Sequence, residues 1–137
     1  MAARLMWLSV VLLVCGRGAH AEQVLVHGMG RTQGWVVASD DGELGFVDCQ
    51  GRRSPVGSAR IEPSVARCPS PPAGIEVTGI VRSIDPVRRI VRTEESDGRV
   101  RVFYVTDNAA RLEELRPGER IHATGPVVGQ LTRITRP

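Results

Sequence analysis

Short β-branched runs alternate with glycine, proline and Asp-Gly pairs along most of this chain, and few segments repeat their apolar positions every three or four residues. That spacing predicts an all-β fold built from short strands. Strands are expected over 35–39, 44–48, 75–84, 89–93, 100–105 and 120–124, with a last one over 127–134 closing the chain. Within 120–124 the alternation puts Ile121 and Ala123 on the core face and turns Arg120, His122 and Thr124 to solvent. A single helical turn is expected over 108–115. Asp107 or Asn108 would cap it, Leu112 and Leu115 lie three apart, and Pro117-Gly118 stops it.

The first 21 residues break this pattern. Arg4 precedes an apolar run from Leu5 to Cys15 that only Ser9 interrupts, and Ala19-His20-Ala21 offers small residues at the two positions a signal peptidase reads. The run is too short to span a bilayer, which takes roughly 20 residues. The segment is expected to be a cleaved secretory signal peptide, with Glu22 as the new N-terminus, a periplasmic or secreted product and no transmembrane segment after cleavage. The alternative is lipidation at Cys15, but Leu12-Leu13-Val14 lacks the small residue that normally precedes a lipidated cysteine.

Export changes the charge. All 18 basic residues are arginine against 15 acids, a formal net charge of +3. Removing Arg4 and Arg17 leaves about +1, so the high isoelectric point is a poor argument for a polyanion partner. Cys15 also leaves, and Cys49 and Cys68 remain as an even pair in an oxidising compartment. A disulfide between them is expected. A metal pair or two buried thiols are the alternatives, and no neighbouring ligand favours a metal.

About 116 residues then make one ordinary domain or two very small ones. Four short matches recur in one order: Gly34 with Gly79, Gly51-Arg52 with Gly98-Arg99, Ala59-Arg60-Ile61-Glu62 with Ala110-Arg111-Leu112-Glu113, and Val77-Thr78-Gly79 with Ala123-Thr124-Gly125. They suggest two tandem β units that pack together or close one shared barrel. The boundaries expected are 22–74, ending in the proline-rich connector 69–74, and 75–137.

From Ile75 to Gly125 the order VTGIVRSIDPVRRIVRT, an acidic turn, RVRVFYVTDNA and LRPGERIHATG resembles the small OB-like β-barrels of secreted bacterial proteins, among them the periplasmic copper and silver chaperones. The resemblance implies an OB-like barrel and an envelope location. It also implies a soft-metal site of methionine sulfurs and a histidine capped by tryptophan. The matching segment has neither Met nor Trp, and its histidine, His122, is expected outside. The right residue types occur instead in VHGMGRTQGW, as His27, Met29 and Trp35, where the bland reading is a glycine-rich arm with Trp35 tucked into the core.

Other chemistry is thin. Val24 to Gly30 resembles a hydrolase oxyanion turn, but the chain has no G-x-S-x-G elbow. Asp40-Asp41, Glu94-Glu95 and Glu113-Glu114 are neighbours, which point to opposite faces of a strand and so make poor acid/base couples. Arg82, Arg88, Arg89, Arg92, Arg99 and Arg101 are candidates for polyanion binding, interleaved with acids and accompanied by only Phe103 and Tyr104 as stacking platforms. Nucleic acid is therefore not the expected partner. The expectation is an exported, non-enzymatic binding or interaction module without a cofactor, its partner an envelope protein or a small ligand. Soft-metal binding and polyanion binding are the alternatives.

Overall fold

The computed structural model describes residues 23–64, 67–69, 72–106 and 112–137. The expected signal segment and the cap of the helical turn lie outside the described residues, as does part of the connector. The fold is all-β: eleven strands among the described residues, arranged in two sheets, and a single 3-10 turn at Leu112–Glu114.

The first sheet has the order β4-β3-β2-β1-β5, from β1 (Gln23–His27), β2 (Gly30–Ala38), β3 (Leu44–Asp48), β4 (Arg53–Pro55) and β5 (Arg60–Pro63). The stretch around His27 is thus no loose arm. β1 runs between β2 and β5, antiparallel to both, and buries Val24, Leu25 and Val26. Acidic tips make the hairpin turns. Gly42 N–H donates to Ser39 O at 2.8 Å, and Gly51 N–H donates to Asp48 O at 3.0 Å.

The second sheet is the OB-like barrel. Its strands are β6 (Ile75–Asp85), β7 (Ile90–Glu94), β8 (Val100–Val105), β9 (Arg120–Gly125), β10 (Gln130–Leu131) and β11 (Arg133–Thr135), in the order β10-β8-β7-β6-β9-β11. The expected strand over 127–134 is two short pieces. β10 pairs parallel with β8 and β11 antiparallel with β9. Because β10 and β11 are consecutive, the two ends of the sheet are drawn toward each other and it curls into a half-barrel. The curl brings Gly125 so near that a Cβ there would sit 1.8 Å from Gln130 O, which leaves room for glycine alone.

Val77, Val81, Val91, Phe103, Val105, Ile121, Ala123 and Leu131 fill the barrel, with Leu112 and Leu115 of the helical turn packed among them. Ile121 and Ala123 point inward as the alternation requires. The β7–β8 turn repeats the β3–β4 turn 47 residues on. Gly98 N–H donates to Glu95 O and Glu95 N–H to Arg99 O, just as Gly51 donates to Asp48 and Asp48 to Arg52. The likeness stops at the last segment, where Arg60, Ile61 and Glu62 lie in strand β5 while Leu112 and Glu113 lie in the 3-10 turn.

The two sheets are joined by apolar contact and a polar seam. Tyr104 packs against Leu25, Val36 and Phe46, and Ala38 against Ile90 and Val102. Val127 meets Trp35, Val37 and Val47. The Gly129 carbonyl accepts from both Ala38 N–H, at 3.0 Å, and Tyr104 N–H, at 2.8 Å, and the buried Gln130 amide donates to Val36 O at 2.8 Å. Cys49 and Cys68 form a disulfide, which lies against the Trp35 cluster. Among the described residues, no helix is long and apolar enough to cross a membrane.

Candidate functional site, a cationic cleft where the sheets meet

An OB barrel usually binds its ligand on the outer face of its second and third strands, flanked by the loops between strands 1 and 2 and between strands 4 and 5. Here that face is β7 and β8, and the first sheet covers it. Ile90, Val102 and Tyr104 are packed under Ala38, Leu44 and Phe46. Arg88 of the β6–β7 turn reaches across to Gly42 O at 3.3 Å, and Val127 of the β9–β10 loop sits on Trp35.

At the rim of the covered face a cleft of about 430 Å³ remains open. Arg53 of β4, Arg99 of the β7–β8 turn and Arg101 of β8 line it, together with Asp40, Val128 and the edge of β8 at Val102. Arg101 is held in place: it donates to Glu95 Oε1 at 2.9 Å and lies 5.2 Å from the centre of the Phe103 ring. Arg53 and Arg99 have no acidic partner among the described residues. The edge of β8 is open as well. Val105 N–H donates to Arg89 O, in the turn just before β7, so strict alternation turns the backbone groups of Val102 and Val100 away from β7. Two free guanidiniums, a half-neutralised third and an open strand edge can hold a carboxylate or phosphate by charge-assisted hydrogen bonds.

The six arginines singled out from the sequence do not act as one patch. Arg82 pairs with Glu94, and Arg88 donates to Asp85 Oδ2 at 2.9 Å. That donation, with a second hydrogen bond from the Arg88 backbone N–H, holds the Asp85 carboxyl below its ordinary range. Arg89 is structural. At φ 57° it occupies the left-handed region, and its guanidinium donates to Val105 O at 2.8 Å and Thr106 O at 2.9 Å. The Arg92 guanidinium lies beside Gly42, where a Cβ would approach it to 2.6 Å. Only Arg99 and Arg101 reach the cleft. Arg53 is the residue that sequence reasoning missed, because it is brought there by sheet packing from 46 positions away.

The trio His27, Met29 and Trp35 is not assembled. His27 pairs with Gly30 at the β1–β2 hairpin tip, where Met29 projects fully into solvent, 102% exposed. Trp35, 2% exposed, is five positions further along β2, roughly 17 Å at strand spacing, inside the core. These residues do not fit a soft-metal site. No cluster of three His, Cys, Asp or Glu side chains suited to a metal occurs among the described residues either.

One further constellation was not visible in the sequence. On adjacent strands β6 and β9, His122 Nε2 lies 3.1 Å from Glu76 Oε1, and its Nδ1 lies 3.0 Å from Thr78 Oγ1. Carboxylate, imidazole and hydroxyl are in a row, but on an open sheet face, with the Glu76 side chain 72% and the His122 side chain 39% exposed. Nucleophile activation depends on preorganised donors in a water-excluded site, and this row is bathed in water. Comparison of the chain with protein-family models and with curated proteins found no match.

Proposed function

We propose that the protein is an exported, non-enzymatic binding module of the cell envelope that holds a small acidic ligand in the cleft between its two sheets. The observation that carries this reading is the convergence of Arg53, Arg99 and Arg101 on one cleft, with Arg53 and Arg99 free of acidic partners among the described residues. Its volume, about 430 Å³, falls within the roughly 300–1,000 Å³ of small-molecule sites. Export is supported by the signal-like N-terminus and by the Cys49–Cys68 disulfide, a bond that persists in oxidising compartments. The cover over the usual OB ligand face argues against a long polyanion laid across the barrel, since that face is spent on the first sheet.

The test is a titration of the mature protein with inorganic phosphate, acetate and succinate, followed by amide chemical shifts. Shifts should centre on Arg53, Arg99 and Val102, and Arg53→Ala and Arg99→Ala should each weaken binding about tenfold or more, the loss of one charge-assisted contact. Binding that is unchanged in the double variant, or no binding by any of the three anions, would sink the proposal.

A further inference from the structure

A second hollow adjoins the cleft. Ser39 and Arg53 also line this hollow of about 320 Å³, so the two cavities are neighbours that share these residues. The character changes on the far side. The second hollow is lined mainly by Val37, Leu44, Gly45, Phe46 and Pro55, and Glu43 is its one acid. Val37, Gly45 and Pro55 are register partners on three adjacent strands, so they share a face; Val37 forms the buried floor at one end, under Val127, and Gly45 and Pro55 form the open part of the trough across β3 and β4.

Gly45 makes the trough. An added Cβ would lie 3.4 Å from Ser54 O and 3.9 Å from Val37 Cγ2, ordinary contact distances. The backbone therefore has no need of glycine here. A larger side chain would fit the strand and occupy the hollow.

We infer that the two adjoining cavities together bind a single-chain anionic amphiphile, with its carboxylate or phosphate head on Arg53 and Arg99 and its hydrocarbon tail over Gly45 and Pro55. The inference rests on the anion reading of the cleft and adds the tail. Charge complementarity selects the head, and an apolar trough beginning at the same arginine selects what is attached to it. An acidic peptide would satisfy the head as well, but its polar backbone would lie unpaired over Gly45 and Pro55.

The experiment titrates the mature protein with butyrate, octanoate and dodecanoate below their micelle concentrations, by calorimetry and by amide shifts. Affinity should rise about two- to fourfold per added methylene until the trough is full. Dodecanoate, unlike butyrate, should shift the amides of Val37 and Gly45. Gly45→Leu should reduce octanoate and dodecanoate to the affinity of butyrate, while Arg53→Ala should weaken all three. If Gly45→Leu does not fold, the wild-type shift pattern decides alone. Should phosphate and butyrate bind but dodecanoate bind no more tightly, the tail is refuted and the anion cleft stands; should no anion bind, both readings fall. A chain-length dependence that survives Arg53→Ala with Arg99→Ala places the tail elsewhere and also refutes the inference.

Discussion

Six arginines close in sequence look like one patch and turn out to have five different surroundings. The difference lies in what each guanidinium meets across the sheet, and alternation along a strand does not encode that. Arg89 serves the backbone: it carries left-handed strain and returns two charge-assisted hydrogen bonds to Val105 and Thr106. Arg89→Ala should therefore cost about 2–3 kcal/mol in urea denaturation, whereas Arg99→Ala, at an exposed turn, should stay within about 0.5 kcal/mol. Equal effects would mean the two roles are misassigned. Asp85 gives a second test. Its folded-state carboxyl is held below the ordinary 3.8 by hydrogen bonds from Arg88, so its contribution to stability is present above that value and is lost as pH falls through the lower folded value. Asp85→Asn should lower the melting temperature at pH 7, and the gap from wild type should close below about pH 4. A gap constant with pH would show that the carboxylate charge plays no part.

At the scale of elements, strands whose alternation is clean and whose turns carry Asp-Gly were legible, as in β3 with its Asp48–Arg52 turn and β9 with Ile121 and Ala123 inward. The elements missed are those whose residues serve two sheets or end abruptly. In β1, Val24-Leu25-Val26 is continuously apolar because the strand is internal, so no alternation marks it. β5 is four residues ending in Pro63 and is specified by pairing with β1, a partner unknown from sequence. The Cys49–Cys68 disulfide was legible from cysteine count alone, but its position was not: it ties the end of β3 to the segment after β5, over Trp35. Closing a loop with a separation of 19 residues should stabilise by about 3 kcal/mol. Cys49→Ser with Cys68→Ser should lower the urea midpoint accordingly. Trp35 emission, isolated by Trp7→Phe, should shift to longer wavelength before global unfolding. An unshifted spectrum would mean that Val47 and Val127 suffice to shield the ring.

The whole molecule depends on a seam that neither half specifies by itself. The sequence suggested two units, and each has its own turn grammar, yet the outer residues of β7 and β8 are buried only because the first sheet lies on them. Gly129 is the narrowest point of that contact. Its carbonyl serves both sheets, its φ is 96°, and a Cβ would lie 2.8 Å from Ala38 O and 3.0 Å from Val37 Cβ. A side chain at this position is opposed by conformation and by space together, so Gly129→Ala should cost about 2–4 kcal/mol. The larger consequence concerns cooperativity. With Tyr104, Val102 and Ile90 unable to stay buried once the first sheet departs, the halves should unfold in one transition. Trp35 fluorescence reports the first sheet, far-ultraviolet circular dichroism both, and their urea curves should coincide. Gly129→Ala should shift both midpoints together. If the tryptophan curve moved ahead of the dichroism curve in this variant, the barrel would be standing without its cover, and the usual OB ligand face on β7 and β8 would be open in that intermediate.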